Sequence, residues 1–149
     1  MDRETTERLT DVLRKIDRTD DLQKYVDDIE KSPVPDSFQS YYNSLPQVKE
    51  AEKAALIKRA GIERSYGYQL LKGTRSPGRD KVILFCLAAG LGLHETQRAL
   101  RAAGEAVLYS RKRRDAILIF AVKEYLAVAD TQELLVQFDE ELLENMKQV

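Results

Sequence analysis

Three observations predict an all-α protein. Helical periodicity dominates the apolar residues, and no convincing run alternates apolar with polar as a half-buried strand requires. Glycines and prolines cut that pattern into short segments. The stretch that begins at Arg79 also recurs 35 residues later, a period typical of paired-helix repeats. With 149 residues, 43% of them hydrophobic and 33% charged, the chain has the size of one domain and can bury a core.

The first helix is expected over Arg3 to Ile16, with Leu9, Val12, Leu13 and Ile16 on one stripe. A second follows over Asp20 to Lys31, capped by Thr19 and carrying Leu22, Tyr25, Val26 and Ile29. Ser32-Pro33-Val34-Pro35 ends it, because each proline forces its predecessor out of the helical region. Residues 1–32 therefore read as an acidic helical hairpin. Asp36 can cap a short helix through Phe38, Tyr41 and Tyr42, and Pro46 opens another that reaches Arg59. That helix stops at Ala60-Gly61, Ile62 starts a tight connection, and a helix over Arg64 to Leu71 stops at Gly73. Pro77 and Gly78 break the chain before a longer apolar helix near Asp80.

The repeat pairs Arg79-Asp80 with Arg114-Asp115, Phe85 with Phe120, Leu91 with Leu126 and Thr96-Gln97 with Thr131-Gln132. Leu100, Glu105 and Leu108 likewise match Leu135, Glu140 and Leu143. Each unit reads as an apolar helix, a turn, and a second helix entered near Glu95 or Asp130. The two hairpins are expected to stack around a shared core, 109–149 repeating 79–108.

Charge is segregated. Residues 1–50 have a net charge of -4, residues 51–114 of +9 and residues 115–149 of -6, although the whole chain carries -1. A positive middle between acidic flanks suggests a surface for a polyanion. Other chemistries find little support. The longest uncharged run, Val82 to Leu93, is too short to span a bilayer, so a cytoplasmic protein with no membrane contact is expected. One cysteine (Cys86) and one histidine (His94) make neither a disulfide nor a zinc site of the usual kind, so no metal is expected. No phosphate loop or nucleophile motif is present, and no cofactor or catalytic residue is assigned. Cys86 reads as a small buried residue, and His94 as a surface or capping group.

The segment from Leu56 to Pro77 resembles the helix-turn-helix of the Cro and lambda-repressor-like (XRE) family. In that pattern an apolar helix ends at a glycine, an apolar residue follows, the recognition helix closes at a second glycine, and a basic residue and a proline lead onward. Gly61, Ile62, Gly73, Arg75 and Pro77 occupy those places. The resemblance implies a five-helix domain over residues 36–108 and a non-enzymatic, sequence-specific transcriptional regulator. The major groove admits one such helix, whose first residues reach base edges. Arg64, Ser65, Tyr68 and Gln69 are the candidate base readers: Arg64 suits guanine, Gln69 adenine, Ser65 either, and Tyr68 a sugar or a thymine methyl. Lys72, Arg75 and Arg79 are candidate phosphate contacts, with Arg111, Lys112 and Arg113 a second set and Arg114 structural. Ile57, Ile62 and Leu70 should be core.

Two positions depart from the family pattern. Glu63 stands at the N-cap place, where serine or threonine is usual, and Gly67 stands where an aliphatic residue usually packs, with Tyr66 free to turn inward. The implied partner is double-stranded DNA, read by a homodimer because one short helix spans few base pairs. The acidic terminal helices would supply the dimer interface or dock a protein. The alternative is a helical protein-interaction adaptor that keeps the same scaffold.

Overall fold

The computed structural model describes residues 3–15 and 37–147, which form nine helices and no strand. They are α1 (Arg3–Lys15), α2 (Phe38–Ser44), α3 (Pro46–Lys49), α4 (Lys53–Ala60), α5 (Arg64–Lys72), α6 (Arg79–Ala88), α7 (Leu93–Ala102), α8 (Arg113–Lys123) and α9 (Val128–Gln137). The all-α expectation holds. The helix expected over Asp20 to Lys31, the Ser32–Pro35 boundary and Asp36 lie outside the described residues. Ser37 is the cap of α2, its Oγ accepting from the Ser40 N–H at 3.2 Å.

The single helix expected from Pro46 to Arg59 is two. Glu52 is extended, with ψ 136°, and separates α3 from α4. Packing explains the break. Val48 and Leu56 are both buried, yet eight residues on one continuous helix would set them about 80° apart around its axis. Two short helices let both face the same core.

That core runs as one cluster from Leu9 in α1 to Leu143 beyond α9. At its centre α6 is buried from Lys81 through Ala88 and α8 from Asp115 through Val122. The aromatic side of α2 closes one end, Phe38 stacking on Tyr42 at 5.1 Å while the Tyr42 hydroxyl donates to the Phe85 carbonyl at 2.8 Å. Cys86 is fully buried among these residues, as read from the sequence. α1 packs on α8, with Leu9 fully buried and Arg8 paired with Glu124. The border placed at 108/109 is therefore no gap in the packing.

The 35-residue repeat is visible bond by bond. The Gln97 side chain bridges the Leu108 backbone, donating to its carbonyl at 3.0 Å and accepting from its N–H at 2.8 Å, and Gln132 does the same to Leu143 at the same two distances. Arg79 donates to the Ala106 and Val107 carbonyls, and Arg114 to those of Glu141 and Leu142. Between the hairpins the pairing is exchanged: Arg79 clasps Asp115 at 3.0 and 2.8 Å, and Arg114 clasps Asp80 at 3.3 and 3.0 Å. Such reciprocity is that of a two-fold axis, a relation between the stacked hairpins that the repeat alone leaves open. α6 correspondingly touches α9, and α7 touches α8.

A candidate nucleic-acid interface on α5

α4 ends because Gly61 takes φ +73°, letting its N–H and that of Ile62 satisfy the carbonyls of Lys58 and Ile57. Three residues later α5 begins at Arg64. Ile57, Ile62 and Leu70 are buried, at 1%, 6% and 0% exposure, so the residues expected to hold this pair to the body do so. Gly67 explains the closeness of the two helices. A Cβ there would lie 2.5 Å from Ile57 Cγ2 and 2.9 Å from Cγ1, so an aliphatic residue has no room. Tyr66 does turn inward, to 4% exposure. α5 closes at Gly73, φ +85°, where the Gln69 carbonyl accepts the N–H groups of Gly73, Thr74 and Arg75.

Glu63 caps α5 with both carboxylate oxygens, Oε2 accepting from the Tyr66 N–H at 2.8 Å and Oε1 from the Ser65 N–H at 2.9 Å. Those two donors hold its carboxyl below the usual carboxylate range, and Lys147 adds to the effect. Two orphan donors of the helix start are thus satisfied within the chain.

The outer face of α5 is polar and open. Arg64 and Ser65 are exposed, and the Arg64 guanidinium lies 5.8 Å from the centre of the Tyr68 ring. Ser65, Tyr68 and Gln69 line a groove of about 500 Å³ together with Lys53, Lys72 and Thr74. All four candidate base readers therefore share one side of the helix, three of them in one concavity. The Gln69 carboxamide oxygen, buried in the groove, has no hydrogen-bond partner in the protein. Lys53 and Thr74 were missed by the sequence reading, since no local pattern tells that the start of α4 and the residue after α5 flank the same hollow.

No family model matches the sequence, and no curated protein or solved structure matches it significantly.

The candidate phosphate contacts divide. Lys72 and Arg75 are exposed at the end of α5, Arg75 lying 5.9 Å from the Tyr66 ring centre. Arg79 must be withdrawn from the set, because its guanidinium is held by Asp115 and two carbonyls and its role is to lock the hairpins together. Arg111 and Lys112 are exposed on the segment entering α8. Arg113 is also exposed, but it sits 3.7 Å from Glu140 and over the Phe138 ring at 5.5 Å. Arg114 is structural, as expected. Arg79 and Arg114, in the first turns of α6 and α8, each clasp the aspartate beside the other.

Cys86 is no reactive thiol; complete burial pushes it up to about 12. His94 is exposed in the first turn of α7. Among the described residues no group of His, Cys, Asp or Glu could hold a metal, and no helix is long and apolar enough to cross a membrane.

Proposed function

We propose that the protein is a cytoplasmic, non-enzymatic, sequence-specific DNA-binding regulator of the helix-turn-helix kind, presenting α5 to the major groove. One observation carries the reading. The exposed face of a short helix, tied to its neighbour by Gly61, Ile62 and Gly67, collects Arg64, Ser65, Tyr68 and Gln69 beside Lys53 and Lys72. Arg64 offers a bidentate fork for guanine, and the Gln69 carboxamide, whose oxygen is buried here without a hydrogen-bond partner, would turn outward to present its donor and acceptor to adenine. Lys53, Lys72 and Arg75 surround these readers with positive charge for phosphates, and Arg111 and Lys112 form a second patch. Two copies would read a two-fold site with half-sites about one helical turn apart.

The test is selection from random duplexes by the purified chain at near-physiological salt. An enriched two-fold motif supports the regulator. Arg64→Ala and Gln69→Ala should then each relax preference at one position by roughly 1–3 kcal/mol, whereas Lys72→Ala and Arg75→Ala should weaken all sequences alike. One observation favours the adaptor instead: Glu63 keeps a fixed negative charge at the N-terminal end of α5, beside Arg64 and Ser65. Absence of any enriched sequence would leave that reading standing.

A further inference from the structure

The chain beyond α9 returns to the α4–α5 turn. Its path is pinned at successive residues: Arg114 holds the carbonyls of Glu141 and Leu142, Gln132 brackets Leu143, and the Glu144 N–H donates to Asp80 at 2.8 Å. Each of these bonds has a twin in the first hairpin. The next one reaches across the molecule. Asn145 Nδ2 donates to the carbonyl of Gly61 at 3.0 Å, a link across 84 residues to the turn that precedes α5. Ser110, its counterpart in the repeat, is instead buried where the chain passes into α8.

The repeat register gives this path a meaning. Lys147 occupies the position of Lys112, 35 residues earlier, so each hairpin ends in an exposed lysine at the same step of its trailing segment. In the first hairpin that lysine joins the basic run entering α8. In the second, the Asn145 bond delivers it two residues from Gly61, beside the cap of α5. The Glu63 carboxyl there is lowered chiefly by the Tyr66 and Ser65 N–H groups, and the charge of Lys147 adds a smaller effect in the same direction. We propose that the C-terminal strap is part of the DNA-binding surface, with Asn145 as the positioning residue and Lys147 as a phosphate contact beside the presenting end of α5. The ligand class is the phosphate backbone of duplex DNA. Within the strap, which also carries Glu141 and Glu144, Lys147 is the group that offsets Glu63 where that carboxylate would otherwise repel the backbone. This inference rests on the proposed function.

Binding of a labelled duplex carrying the selected motif, or of the pooled random duplex if none is enriched, is measured between 50 and 200 mM salt. The full-length chain is compared with Lys147→Gln, Asn145→Ala, the double variant, and Lys123→Gln on α8 as a control. One lost phosphate contact lowers the salt slope by about 0.9, so the salt step should weaken Lys147→Gln roughly 3.5-fold less than the native chain. Asn145→Ala should lose part of that dependence with its lysine intact, the double variant should lose no more than Lys147→Gln alone, and Lys123→Gln should lose none. Native binding with an unchanged slope in Lys147→Gln overturns the strap proposal alone. Additive losses overturn the positioning role of Asn145. A native chain that binds no duplex at 50 mM salt overturns both this inference and the regulator reading.

Discussion

Gly67 shows how one absent methyl group sets a helix pair. Alanine would gain about 1 kcal/mol of helix propensity, but its Cβ would press 2.5 Å from Ile57, and overpacking of this kind costs about 1–3 kcal/mol. Gly67→Ala should therefore lower stability in chemical denaturation, while in an Ile57→Ala background, where only the Cβ at 3.2 Å still opposes it, it should cost much less. Two buried protons make a second expectation. Burial raises both the Cys86 thiol, to about 12, and the Tyr42 hydroxyl, while the unfolded groups titrate near 9 and 10. Groups raised in the folded state contribute stability that is complete below the unfolded values and lost as pH climbs toward the folded ones. The melting temperature should hold up to about pH 9 and fall above it, and native Cys86 should resist thiol reagents until the chain unfolds. Much at this scale was legible in the sequence. Gly61, Gly73, Ile57, Ile62 and Leu70 took their expected places because helix stops and apolar spacing are local properties. Gly67 was read only as a departure, since its reason lies on another helix.

At the scale of elements, the exchanged clasp joins the hairpins. Asp115 is 4% exposed in its side chain and also accepts the Tyr109 N–H at 2.9 Å, so Arg79→Ala would strand a buried carboxylate. A loss of about 3–5 kcal/mol is expected from that change. Arg114→Ala opens the pair in which both partners are about one-fifth exposed, and should cost nearer 1–3 kcal/mol. Urea titrations of the two variants test the asymmetry. The Arg-Asp dipeptide recurring in register already held the clue to this arrangement. What the sequence could not convey was direction: whether each arginine meets the aspartate of its own unit or of the other depends on how two helices approach. Arg79 reads as a phosphate contact from its place just after the end of α5, and only the fold shows its guanidinium engaged. The turn after the first helix of each hairpin repeats as well, with Gly90 at φ +66° in one and Tyr125 at φ +54° in the other. Tyr125 is 67% exposed, so Tyr125→Gly should stabilise the fold by up to about 1 kcal/mol through relief of a left-handed backbone.

Over the whole molecule the described residues of the three expected parts share one packing. One core links α1 to Leu143, and the α6–α7 hairpin serves both the candidate interface and the repeat. Unfolding of the described body should be a single transition, with far-ultraviolet signal and near-ultraviolet tyrosine signal coinciding. Two separated transitions would restore the boundary at 108/109. The charge map belongs to the same scale. The basic middle third contains every residue of the groove on α5, and Lys147, one of only two cations after residue 114, lies beside it by way of the strap.

The reciprocal clasp has a consequence for assembly. A surface related to its neighbour by a two-fold axis is self-complementary, the kind that ordinarily draws two identical subunits together. Here both partners are covalently joined, and each hairpin already covers the other's complementary face. The valence of that surface is satisfied in cis. That surface is therefore not left to recruit a second chain, and the helices from α1 to α5 are the part of the described body that has no internal counterpart of this kind.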